Sequence, residues 1–214
     1  MRTANTLQVI LAGMYKPVGW ADWDPSRELV WSPVPYTIDD PMLRMYAVKE
    51  CKNSDKVWKP IDEDLLPSLA EAKRKHAPLL NYVGQKTGWN MTSLGKLADL
   101  ADNLIEIDMY NASYPDWLLR PDLPGYDRDK IIDEIMGFAE MPQIACTNYA
   151  PCRDLMAGVW LEHLLSSIEE ARNGSTQRIV GYASHTEVTL ALMKLIGIER
   201  NELTTSAGFV IEYR

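Results

Sequence analysis

Cysteine is scarce in this chain: three residues in 214, Cys51, Cys146 and Cys152. That is too few for a fold built on disulfides. The stretch CTNYAPC offers no histidine or cysteine partner at metal-site spacing, which argues against zinc. Basic residues are also in deficit, 22 Lys and Arg against 30 Asp and Glu, for a net charge of −8 and a pI of about 4.9. A generic nucleic-acid-binding surface does not fit that balance. No apolar run is long enough to span a membrane. The amino terminus lacks the order of a signal peptide: Arg2 is followed by Asn5, Thr6 and Gln8, and the apolar piece from Val9 to Ala12 is too short. Taken literally, the chain begins in the cytosol. Nothing repeats, and no segment is low in complexity.

What is present is an ordinary globular balance, 46% hydrophobic and 24% charged. It suffices for one sizeable domain, or a core with a small insertion. Thr6 to Met14 reads as a helix closed by Pro17 and Gly19. Glu28, Val30 and Trp31 read as an edge strand ended by Pro33 and Pro35. From about residue 40 to 143 the pattern is helical. Leu65, Leu66, Leu69, Ala72, His76, Leu79, Leu80 and Val83 form one stripe. Leu94, Leu97, Ala101, Leu104 and Ile105 form a second, and Ile131, Ile132, Ile135, Met136 and Ala139 a third. YPDWLLRPDLPGYD is loop chemistry between them. A long helix over 154–171 stops at Asn173-Gly174. Ile179, Val180, Tyr182 and Ala183 read as a buried strand, and GFVIEYR at 208–214 as a last strand that runs to the chain's end. The order αβ, several helices, then αβαβ predicts an α/β sheet with a helical insertion. Residues 1–45 and 150–214 supply the core and 46–149 the inserted, mainly helical subdomain.

GYASHTEVTLALMKLIGI, residues 181–198, carries the candidate chemistry. After His185, apolar residues recur at Val188, Ala191, Leu192, Leu195 and Ile196, the period of an amphipathic helix that Gly197 would stop. Thr186 could cap that helix. His185 then stands at the carboxyl end of a strand and the amino end of a helix, where ligands bind in α/β sheets and anions are favoured. The plainer alternative is turn chemistry, with Glu187 a first-turn glutamate matching the helix dipole. Three sequons, at Asn90, Asn111 and Asn173, matter only in the secretory pathway. In an oxidising compartment Cys146 and Cys152 can close a small disulfide loop. Cys51 is then the odd one out.

These pieces together resemble the histidine acid phosphatase family, in its secreted and lysosomal branch. YASHTEVTLALMKLIGI is similar to the family's second signature around a catalytic histidine. WSPVPYT, NASYPDW and RDLMAGVWLEHLL resemble further segments in the family's order, so the similarity covers nearly the whole chain. The resemblance implies a phosphoglycerate mutase-like three-layer α/β fold. It also implies hydrolysis of phosphomonoesters at acid pH through a phosphohistidine, with neither metal nor cofactor, and a homodimer in a secreted or lysosomal setting. His185 would bind phosphate. In most of this branch aspartate follows the histidine; here Thr186 does, and Glu187 comes next. A related branch, similar to the multiple inositol polyphosphate phosphatases, has histidine–x–glutamate with the glutamate as proton donor, and Glu187 fits that variant.

The family's first signature, Arg-His-Gly-x-Arg-x-Pro, supplies the nucleophile and two arginines. No Arg-His-Gly occurs in this sequence, and His76 and His163 have the wrong neighbours for it. Aligned on LAGMY, Arg2-Thr3 matches an arginine–threonine pair beyond the family's third phosphate-binding arginine; Arg2 is itself a phosphate ligand only if a deletion is allowed. Cys51 corresponds to a cysteine that in family members pairs with one near the carboxyl terminus, beyond this sequence. The expectation is therefore an acid phosphatase chain truncated at both ends, missing its first strand and inactive as given. The alternative is a non-catalytic secreted member that binds a partner or a phosphorylated ligand.

Overall fold

The computed structural model describes residues 2–17, 26, 32, 34–36, 51–175, 179–200 and 208–214. Among them are ten helices and no strand. The predicted α/β three-layer fold with an inserted helical subdomain and a missing first strand is therefore corrected: among the described residues there is no sheet. Ile179–Ala183 belongs to no strand, and Ile179 is 61% and Val180 46% exposed. The tail over 208–214 likewise lies outside any helix or strand. The reason is that apolar alternation specifies a strand only where a neighbour takes up its N–H and C=O groups. The expected edge strand at Glu28–Trp31 lies outside the described residues.

The chain divides into two compact units, 1–49 with 156–214, and 50–155. The second unit holds α2 (Lys52–Asp62), α3 (Pro67–Lys75), α4 (Ala77–Thr87), α5 (Gly95–Met109), α6 (Asp116–Leu119), α7 (Arg128–Met136), α8 (Met141–Asn148) and the first residues of α9 (Ala150–Arg172). Its core comes from stripes one helical turn apart: Leu97, Ala101 and Leu104 on α5, Ile131 and Ile135 on α7, Leu79 and Val83 on α4, all essentially inaccessible. Helix α5 packs on α7 and α8, α2 on α8, and α6 on α7.

The stripe from Leu65 to Val83 is not one helix. Prolines at the first positions of α3 and α4 restart the chain twice, and Leu65 stands 59% exposed. Asp64 stops α2 in a left-handed conformation, φ 55°. Its buried carboxylate accepts from the Leu94 N–H at 3.1 Å and pairs with Lys73 Nζ at 3.1 Å, so it ties the head of α5 to α3. Asp127 caps α7, accepting from the Lys130 N–H at 2.9 Å. The proline-rich loop over 114–127 contains α6, a single turn that the sequence reading left irregular.

The first unit holds α1 (Arg2–Met14), the rest of α9, and α10 (Thr186–Leu195). Gly174 follows α9 at φ 88° and Gly197 follows α10 at φ 84°, the left-handed turn that glycine takes without strain. No helix among the described residues is long and apolar enough to cross a membrane.

Candidate functional site

His185 occupies the N-cap of α10 with extended backbone, φ −99° and ψ 157°. The helix begins at Thr186, so the expectation that Thr186 caps it is corrected: His185 holds the cap position, and its side chain makes no cap hydrogen bond. The His185 carbonyl accepts from the Thr189 N–H and the Thr189 hydroxyl, each at 3.0 Å. Val188, Leu190, Ala191, Leu192 and Met193 are buried around most of the helix. Glu187, in the first turn, is only 5% exposed, whereas His185 lies at the surface. A helix amino end with uncapped N–H groups carries partial positive charge. The His185 imidazole belongs to the residue in the cap position, and the Glu187 carboxyl to the second residue of the helix.

Tyr182, three residues before His185, is held by α9. Its hydroxyl is hydrogen-bonded to His163 Nε2. Its ring meets Trp160 at 5.2 Å and His163 at 5.3 Å between centroids, both edge-on. Trp160 is 8% exposed, and its Nε1–H has no hydrogen-bond partner among the described residues. From the sequence, His163 stands out only as a histidine with the wrong neighbours for the first signature. The signal available was the spacing of Trp160 and His163, three apart and hence on one helix face.

His76, in the other unit, joins a different network. Its Nδ1 lies 2.7 Å from Glu134 Oε1, which also accepts from the Tyr126 hydroxyl at 2.7 Å. Burial, and then the bond to Glu134, push the Tyr126 phenol up to about 12. Burial and a bond to Asp108 do the same for Tyr114, also to about 12. Lys86 meets Asp122 at 2.9 Å, and this contact lowers the carboxyl's pKa and raises the ammonium's.

Arg2 begins α1, and its side chain lies outside the described part of the structure. Cys146 and Cys152 form a disulfide, fully buried at the α8–α9 junction. Cys51 is free and half-buried at the N-cap of α2. Asn90, Asn111 and Asn173 are exposed. Among the described residues no three His, Cys, Asp or Glu side chains are grouped to hold a metal. Two surface hollows lie in the second unit. One of about 330 Å³ is edged by Asn81, Lys86 and Asp122, and one of about 440 Å³ by Leu66, Met141, Ile144 and Tyr149. Neither is lined by His185, which lies at the surface, or by Glu187, which is buried.

No family model, no curated protein and no solved structure matches this chain.

Proposed function

We propose that this is an acid phosphatase-like chain of the histidine type, which holds a phosphomonoester at the head of α10 and does not by itself hydrolyse it. His185 binds the phosphoryl oxygens and Glu187 is the proton donor to the leaving alcohol. The carrying observation is the order His-x-Glu at an uncapped helix amino end, His185 exposed in the cap position and Glu187 in the first turn. Such an end favours phosphate through its N–H groups and dipole. The reading rests on this local arrangement and on the order of resembling segments, not on a sheet.

Turnover through a phosphohistidine demands more. An imidazole must attack phosphorus, several cations must neutralise the equatorial oxygens, and an acid must protonate the departing oxygen. The sequence has no Arg-His-Gly to supply the first of these. The buried disulfide and the exposed sequon asparagines support a secreted or lysosomal setting.

The test combines an assay with a titration. An aryl phosphate at about pH 5 should be left intact by the purified chain, while inorganic phosphate should shift the His185 ring resonances. Robust hydrolysis abolished by His185→Ala would overturn the inactive reading. A phosphate-silent His185 would overturn the binding reading.

A further inference from the structure

We infer that His163 and Trp160 are positioning residues for His185: they clamp Tyr182, and the clamp sets where the backbone delivers His185 to the head of α10. The inference rests on the phosphate reading of His185.

Residues 179–185 form no strand, and Ile179, Val180 and Tyr182 are substantially exposed. Nothing regular in the backbone therefore fixes the approach to α10. Side-chain contacts from Tyr182 to α9 help to fix it. Tyr182 lies with its ring edge-on to both Trp160 and His163, and its hydroxyl bonds His163 Nε2. Trp160 and His163 also meet each other edge-on, at 6.5 Å. Three rings in mutual edge contact leave Tyr182 little freedom, because each pair has a preferred angle as well as a distance. Only Ala183 and Ser184 separate Tyr182 from His185, so a shift of the phenol moves the imidazole almost directly.

The chemistry of the bond suits an acid setting. A neutral imidazole accepts the phenol proton at Nε2, and a protonated one donates from Nε2 to the phenol oxygen. The clamp therefore survives a change of protonation at His163 and is not itself a pH switch. At the far end the position is locked by the Thr189 N–H and hydroxyl on the His185 carbonyl.

The experiment is ring NMR on the full chain with labelled histidine. Three histidines, His76, His163 and His185, make assignment by substitution direct. Tyr182→Phe keeps the ring contacts and removes only the hydroxyl. It should move the His185 signals in the absence of ligand, speed exchange of the Thr189 amide, and weaken inorganic phosphate binding by about tenfold, the scale of one lost hydrogen bond. His163→Leu should do the same. His163→Gln, which can still accept from the phenol, should restore binding, and a role in packing alone would not produce that rescue. If the unmodified chain binds phosphate and all three variants bind alike, the clamp is overturned and the phosphate reading stands. If phosphate leaves His185 untouched in the unmodified chain, the phosphate reading falls. The clamp is then judged on the ligand-free readouts: unchanged His185 signals and Thr189 exchange in Tyr182→Phe overturn it, and altered ones uphold it.

Discussion

Tyr126 is the residue whose surroundings most clearly govern its own ionisation. A phenolate there would be part-buried and face the Glu134 carboxylate that its hydroxyl now serves. An ordinary phenol ionises at about 10, and both Tyr126 and Tyr114 wait until about 12. The sign follows from linkage. A raised folded-state pKa contributes stability that is fully present below about pH 10 and is lost as pH climbs through the folded value of about 12. Tyr126→Phe should therefore blunt the alkaline loss of helical circular dichroism, and it should delete a late-titrating component from the phenolate absorbance. A Tyr126 that ionised with the ordinary tyrosines would contradict the observed network. Position 185 gives a second residue-scale prediction. Histidine is a weak N-cap, and His185 makes no side-chain cap bond. His185→Asn should stabilise α10 by about 0.5–2 kcal/mol while abolishing the response to phosphate. Thr186→Ala, which removes no cap, should change the melting temperature little. The sequence showed that His185 stands at the amino end of a helix. It did not show which of His185 and Thr186 is the cap, because a threonine after a histidine satisfies the same pattern.

At the scale of elements, helices were legible wherever one stripe belonged to one helix. The second stripe, with Leu97, Ala101 and Leu104, is α5, and the third is α7. The long run before Asn173-Gly174 is α9, and Gly197 does end α10. The first stripe misled because its apolar spacing continues across Asp64–Leu66 and His76, where prolines restart the backbone. Period alone does not register such a reset. The strands misled for a deeper reason, since their partners are remote in sequence and no local pattern reports whether one exists. The helices themselves rest on identifiable joints. Asp127→Ala removes the side-chain cap bond to the Lys130 N–H at the head of α7, and should cost about 1 kcal/mol of stability in denaturant unfolding. Replacing Cys146 and Cys152 together by alanine opens a disulfide that spans six positions. Such a short loop contributes roughly 2 kcal/mol through the unfolded chain. A midpoint unchanged by the double substitution would mean that the α8–α9 junction holds without it.

For the whole molecule, exposed apolar side chains occur in both units. The unit over 50–155 leaves Leu65, Trp89, Met109, Tyr110 and Leu119 in that state. The other leaves Val9, Ile10, Leu165, Ile179 and Val210 among the exposed. Exposed apolar surface of this kind promotes association, and the net charge of −8 opposes it at neutral pH. Light scattering should therefore rise as the pH is lowered toward the pI of about 4.9 and the repulsion fades. Scattering that stayed flat through that range would show the apolar side chains to be harmless. The irregular segment before α10 has one more consequence, for the chain's survival. Residues 179–184 lie outside any helix or strand, with Gly181, Tyr182 and Ser184 exposed, and such stretches are where proteases cut. A chymotrypsin-like enzyme should cut after Tyr182 once its ring leaves Trp160 and His163, so His163→Leu should speed that cut. That single nick would sever His185, Glu187 and all of α10 from the rest of the polypeptide, so the same stretch that leads into the candidate site is where digestion would remove it.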